Sequence, residues 1–144
     1  MLKNIPPILL PELLKVMSEM GHGDQIVIGD GNFPAESIGR GKPVIRLDSC
    51  GVPELLDAML QFFPLDPYVE QPVTLMEVVP GDPVETPIWG EYQATVAKYD
   101  NRGSDAVGHL ERFAFYEQAK KAYAIIATGE KALYANIILQ KGVI

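Results

Sequence analysis

PELLKVMSEMGHGDQIVIGDGNFPA, residues 11–35, contains the unit that decides the fold. Leu10, Leu13, Leu14 and Met17 recur at i, i+3, i+4, i+7, which predicts an amphipathic helix over 11–20. Pro11 suits the first helical turn, and Glu12 complements the positive helix start. Gly21 fits the left-handed position just past a helix end. QIVIG at 25–29 is apolar and β-rich, as in a strand covered on both faces. A helix, a polar turn and a buried strand therefore follow one another within 20 residues.

The alternation continues outward from that unit. PVIRL at 43–47 is predicted as a second strand, and PELLDAMLQFF at 53–63 as a second helix. VTLMEVV at 73–79 forms a third strand, and IWGEYQATVAK at 88–98 a third helix, weakened by Gly90. PGDPVETPIWG at 80–90 is a surface loop, with Trp89 packing on the core. FAFYEQAKK at 113–121 is a fourth helix, AYAIIAT at 122–128 a buried strand, and NIILQK at 136–141 the last strand. Interleaved helices and strands predict an α/β fold, a single three-layer α/β/α domain over 1–144 with a central mixed sheet.

The chain has 144 residues, 47% of them apolar and 22% charged, ordinary values for one globular domain. At this length roughly 70% of the unfolded surface can be buried. The 12 basic and 19 acidic side chains leave a net charge of −7. That balance argues against nucleic acid and anionic membranes as partners, since both recruit basic surfaces. The one cysteine, Cys50, cannot make an internal disulfide and leaves too few thiols for a cysteine-rich zinc site. The expected setting is the reducing cytoplasm. Prolines 6, 7 and 11 break the N-terminal apolar run, so it is not read as a secretory signal.

Common cofactor motifs fail on spacing. Gly21-His22-Gly23 lacks a third glycine and lies in helix-to-strand order, opposite to a dinucleotide fingerprint. Gly39-Arg40-Gly41-Lys42 lacks the Ser or Thr of a P-loop. His22, His109 and Cys50 form no metal-ligand pair at a known spacing, so neither a metal nor another cofactor is expected.

The polar residues beside the turns are the candidates for chemistry. His22 follows a helix C-terminus and neighbours Asp24, a setting suited to proton exchange near neutral pH. Asp30 lies beyond the following strand; five residues span roughly 17 Å, which puts His22 and Asp30 at opposite ends. They can share a site if subunits contribute different ends, or they can be two polar turns flanking a strand. Arg112 with Phe113, Tyr116 and Lys120 offers either a packed helix or a ligand wall. Tyr134 and Asn136 precede the last strand, where they serve either a polar ligand or local capping.

Taken together, GHGD at 21–24, RFAFYEQAKKAYAIIATGE at 112–130, LYANIILQKGV at 133–143 and VIRLDSCGVPELLDA at 44–58 carry a resemblance over nearly the full chain. The sequence resembles the L-fucose mutarotase family, related to D-ribose pyranase. The resemblance implies a D-ribose pyranase-like fold and cofactor-independent interconversion of the α and β anomers of L-fucose. It implies His22 as proton donor and Asp30, Arg112, Tyr134, Ala135 and Asn136 as sugar-binding positions. Tyr134 or a water would handle the anomeric hydroxyl proton. It also implies a ring-shaped homo-oligomer, a decamer favoured, with sites completed between subunits. Asn32 stands where some bacterial members have His, and Ala135 where Gly is usual. Pyranose–furanose interconversion of D-ribose and non-catalytic monosaccharide binding are the alternatives.

Overall fold

The computed structural model describes all residues, Met1–Ile144. The elements are α1 (Pro11–Glu19), β1 (Gln25–Gly29), α2 (Ala35–Ile38), β2 (Val44–Leu47), α3 (Val52–Leu60), β3 (Val73–Met76), α4 (Pro87–Tyr99), a 3-10 turn (Gly103–Ala106), β4 (Val107–Leu110), α5 (Arg112–Lys120), β5 (Ala124–Thr128) and β6 (Ile137–Gln140). The six strands form one sheet in the order β2-β5-β1-β6-β3-β4. β1, β2 and β5 run parallel, as do β3 and β4, while β6 is antiparallel to both its neighbours, β1 and β3. Five strands therefore point one way, with β6 inserted against them.

Alternate residues of each strand feed opposite faces, as the pleat requires. Ile26 and Ile28 of β1 join Leu13, Val16, Leu55, Leu56, Met59, Tyr92 and Val96 in the larger core under α1, α3 and α4. Val27 joins Phe115, Ala119, Ile125 and Ile138 in the smaller core under α2 and α5. The mixed three-layer α/β/α architecture expected from the sequence is the one observed.

Several boundaries differ from the expectation. The strand predicted at 73–79 stops at Met76, and the one predicted at 122–128 starts at Ala124. The second helix ends at Leu60, where the Phe62 and Phe63 N–H groups turn back onto the Met59 carbonyl. The 3-10 turn, the short α2 and the edge strand β4 lay outside the sequence reading. In β4, Gly108 and His109 interrupt the apolar pattern, and pairing with β3 makes up for the weak local preference. Gly21 does not adopt the left-handed conformation expected of it; Gly23 does, with φ of 86°. The reason is a different cap. Lys141 Nζ donates to the carbonyls of Met17 and Met20 at 2.7 and 2.5 Å, and Gly21 N–H donates to Asp24 at 2.7 Å.

Gly90 lies in the interior of α4, and a Cβ placed there meets nothing within 4 Å. Gly90→Ala is expected to stabilise the fold by about 0.5–1 kcal/mol, through helix propensity alone. Denaturant unfolding checks this; a lower midpoint would contradict it.

Candidate functional site

Five strands end at one edge of the sheet and β6 begins there, so the strand-terminal residues converge. Ligands in open α/β sheets bind outside such carboxyl ends. Asp30 follows β1, Met76 ends β3, Arg112 opens α5 just after β4, and Tyr134 and Asn136 lead into β6. All five line one surface cavity of about 220 Å³, together with Asn32, Phe33, Asp82, Tyr116 and Leu133.

Asp30 is buried to 5% exposure, and its carboxylate is held by the chain around it. Oδ1 accepts from Asn32 N–H at 2.9 Å, and Oδ2 accepts from Ala135 N–H at 3.3 Å. Burial pushes its pKa above the ordinary aspartate value; the N–H donors of Asn32 and Ala135 oppose that rise without cancelling it. Asn136 Oδ1 accepts from Asp30 N–H at 2.8 Å. Its Nδ2 has only the Met76 sulfur at 3.9 Å, a weak acceptor. This leaves Asn136 with donor capacity at the cavity wall.

Arg112 is placed by its neighbour. Glu111 caps α5, its carboxylate accepting from the N–H groups of Phe113 and Ala114 at 3.0 and 3.1 Å. Arg112 makes no ion pair with a local acid. Its guanidinium lies 5.5 Å from the Tyr116 ring centre and 5.7 Å from that of Phe113, and Nε donates to the Tyr116 hydroxyl at 3.3 Å. The remaining guanidinium N–H groups are free for a ligand. Tyr116 faces the cavity, whereas Phe113 is exposed outside it.

Tyr134 has φ of 55°, an uncommon left-handed conformation for a residue with a bulky side chain. It is held at three points. Trp89 Nε1 donates to the Tyr134 carbonyl at 2.8 Å, so Trp89 does more than fill the core beside its loop. The Tyr134 hydroxyl donates to Asp82 Oδ2 at 2.6 Å and accepts from Val79 N–H at 3.4 Å. The bond to Asp82, then burial, raises the Tyr134 pKa above 10. Ala135 is fully buried, and its backbone serves the protein rather than the cavity. Its N–H goes to Asp30, and its carbonyl accepts from the Tyr92 hydroxyl at 2.8 Å. Asp82 escaped the sequence reading because it sits in the Pro- and Gly-rich loop, with no periodicity to mark it.

His22 lies at the opposite edge of the sheet, before β1, in a separate depression of about 600 Å³ with Leu14, Met17, Phe62, Val143 and Ile144. One chain therefore keeps His22 apart from Asp30. Its carboxylate partner is not Asp24, which is engaged by Gly21, but Asp66. Both Asp66 oxygens lie 3.1 Å from His22 Nε2. Acceptance by the carboxylate assigns a proton to Nε2 and leaves Nδ1 without a protein partner. Asp66 is only 2% exposed and also accepts from Tyr68 N–H and Gln140 Nε2, both at 2.9 Å. Burial alone raises its carboxyl, but the bonds from Tyr68, Gln140 and His22 outweigh it and hold the group below the ordinary range. The sequence offered no sign of this pair, whose members are 44 residues apart.

No three His, Cys, Asp or Glu side chains gather as a metal-ligand set. Burial, then the charges of Glu54 and Asp48, push the Cys50 thiol up, away from nucleophilic use.

A sequence model of the RbsD / FucU transport protein family matches residues 3–144. Fucose mutarotase from Bos taurus is 52% identical over 147 aligned positions, covering 99% of this chain and 94% of that protein. The crystal structure of FucU from Bifidobacterium longum superposes with a TM-score of 0.97 at 64% identity, covering 99% of both chains. The structure of fucose mutarotase from Streptococcus pneumoniae, solved in complex with L-fucose, gives 0.91 at 48% identity, again over 99% of both. On a match that runs almost end to end, in sequence as in architecture, the chain belongs to the RbsD / FucU family.

Proposed function

We propose that this chain is an isomerase that interconverts the α and β anomers of L-fucose at the cavity bounded by Asp30, Arg112, Tyr134 and Asn136. The observation that carries the reading is their convergence in one monosaccharide-sized cavity from three separate parts of the sequence. The relationship to proteins named fucose mutarotase supports the choice of sugar. The family's name speaks of transport, but no helix of this chain is long and apolar enough to cross a membrane.

Mutarotation opens a cyclic hemiacetal and recloses it on the other face of C1. It needs a proton delivered to the ring oxygen and a proton removed from the anomeric hydroxyl. After rotation about C1–C2 the two transfers reverse, with no net proton or electron change. Asp30, Asn136 and Arg112 orient the sugar hydroxyls, and Phe33, Met76 and Leu133 supply apolar surface for C–H groups. Tyr134 faces the anomeric hydroxyl. His22, as imidazolium with Nε2–H held by Asp66, donates its Nδ1 proton to the ring oxygen from a neighbouring subunit.

Surface chemistry supports such an assembly. Phe62, Val143 and Ile144 surround His22, and exposed Tyr68 lies against its ring, 5.4 Å between centres. Leu133, Phe113 and Val79 are exposed about the cavity. Two unlike apolar faces at opposite sheet edges suit head-to-tail contacts, which close into a ring. A decamer is the favoured count, and the unpaired Cys50 suits a reducing cytoplasm.

NMR exchange between α- and β-L-fucose, with and without the protein, tests the reading. The expected result is saturable acceleration, greater than any effect on D-ribose ring forms. Saturable binding without acceleration would favour a carrier, and faster ribose interconversion would favour a pyranase.

The raised pKa of Asp30 gives a pH prediction. Ionised Asp30 accepts from sugar hydroxyls, and protonation removes that capacity. Its proton returns at a higher pH than for a free aspartate, about 3.9. Fucose affinity is therefore expected to fall on acidification, beginning above the ordinary aspartate range. Asp30→Asn should flatten that fall and weaken binding at pH 7 by about 10–100-fold, the loss of a charged hydrogen-bond acceptor. Titration of fucose binding across pH checks both; an unchanged acid profile in the variant would remove Asp30 from the role.

A further inference from the structure

We propose that Asp82 is the terminal proton acceptor of the reaction, taking the Tyr134 hydroxyl proton as Tyr134 takes that of the anomeric hydroxyl. The inference rests on the mutarotase reading and adds to it a residue that acts through Tyr134.

The Tyr134–Asp82 separation of 2.6 Å falls within the range of a hydroxyl donating to an ionised carboxylate. A tyrosine hydroxyl has one proton and two acceptor positions. The proton goes to Asp82, and Val79 N–H occupies one acceptor position. One acceptor position remains for the anomeric hydroxyl. Asp82 holds the tyrosine proton firmly, so Tyr134 is a poor base unless its own proton moves on as a new one arrives. The carboxylate on the far side provides the place for it.

The loop is built around this contact. Gly81 has φ of 90°, Pro83 fixes the next backbone angle, and Asp82 N–H donates to the Val79 carbonyl at 3.0 Å. One short turn thus binds the tyrosine hydroxyl from both sides, through Val79 N–H and Asp82 Oδ2. The other ionisable groups lining the cavity are Asp30 at the end of β1 and Arg112 and Tyr116 on α5. Arg112 is the only cation among them. Asp30 has both carboxylate oxygens engaged by backbone N–H groups, whereas the Asp82 carboxylate accepts from the Tyr134 hydroxyl alone.

The proton account balances. The anomeric O–H bond breaks to Tyr134, the Tyr134 O–H bond breaks to Asp82, and the C1–O5 bond opens as C1=O forms and the ring oxygen takes a proton from the His22 imidazolium of a neighbouring subunit. Reclosure on the other face returns every proton along the same path.

The test compares wild type, Asp82→Asn, Tyr134→Phe and the double variant by NMR exchange over a range of L-fucose concentrations. Asparagine keeps the shape of Asp82 and accepts the tyrosine hydrogen bond, but cannot hold its proton. Each single variant is expected to lose about 100-fold or more in kcat, with KM within about threefold of wild type. The double variant is expected to be no more than about tenfold below the slower single, because the two residues act as one unit. Turnover by Asp82→Asn within about threefold of wild type would overturn the inference, as would a double-variant loss equal to the product of the single losses. A rise in KM with kcat unchanged would also overturn it, making Asp82 a simple sugar contact. If wild type accelerates nothing, the mutarotase reading itself fails; an active wild type with an equally active Asp82→Asn defeats the Asp82 inference alone.

Discussion

Alanine in place of His22 is expected to slow L-fucose anomer exchange by roughly 10²–10⁴-fold, the worth of one positioned acid. Sugar affinity should change little, because the cavity residues lie at the other sheet edge. The same separation makes a second outcome specific. His22→Ala and Asp30→Ala chains, each weak alone, should recover activity when dissociated, mixed and reassembled. In a head-to-tail ring, an intact site forms wherever a His22→Ala chain supplies the cavity and an Asp30→Ala chain supplies the histidine. Random 1:1 mixing gives about a quarter of such sites. Normal turnover by His22→Ala would remove the residue as the acid. Loss without recovery on mixing would contradict a site shared between subunits.

Gly129→Ala is expected to be the most damaging small substitution in the sheet. A Cβ at Gly129 would stand 2.0 Å from the Asp48 carbonyl oxygen and 2.9 Å from its carbon. Both are backbone atoms at the ends of paired strands, since Thr128 of β5 is in register with Leu47 of β2. No side chain can swing aside, so the strands must part. Gly129 N–H also donates to the Cys50 carbonyl at 3.0 Å, and the next residue, Glu130, accepts from Val52 N–H at the start of α3. The expected cost is about 3 kcal/mol, at the upper end for overpacking. For a chain of this size that lowers the melting temperature by roughly 10 °C. A thermal scan beside Gly90→Ala checks the reasoning, because the same chemical change should act with opposite sign at the two sites. A Gly129→Ala melting temperature within about 2 °C of wild type would contradict the steric account.

Local chemistry explains why so much was legible beforehand. Leu13, Val16 and Met17 recur at helical spacing and reach the core. Ile26, Val27 and Ile28 are apolar without a break because β1 is covered on both faces. Helical spacing and unbroken apolar runs are properties of neighbouring residues, so they survive in the string of letters. The turn residues Asp30, Arg112, Tyr134 and Asn136 were visible for a related reason: each stands where a predicted strand or helix begins or ends. The separation of His22 from Asp30 also followed from the length of one strand.

Pairing between distant segments was not visible. Insertion of β6 between β1 and β3 is decided by sheet hydrogen bonds, and it is this placement that brings Tyr134 and Asn136 beside Asp30. Asp66 reaches His22 across 44 residues, and Asp82 reaches Tyr134 across 52. Neither carboxylate has a local pattern, because its identity depends on a partner supplied by another loop. The sequence by itself determined the alternating elements, their buried faces and the polar turns at their ends, since these follow from periodicity and backbone preference over a few residues. Only the tertiary structure decided strand order, the left-handed Tyr134 and the two carboxylates behind His22 and Tyr134, since these come from contacts whose partners lie far apart along the chain.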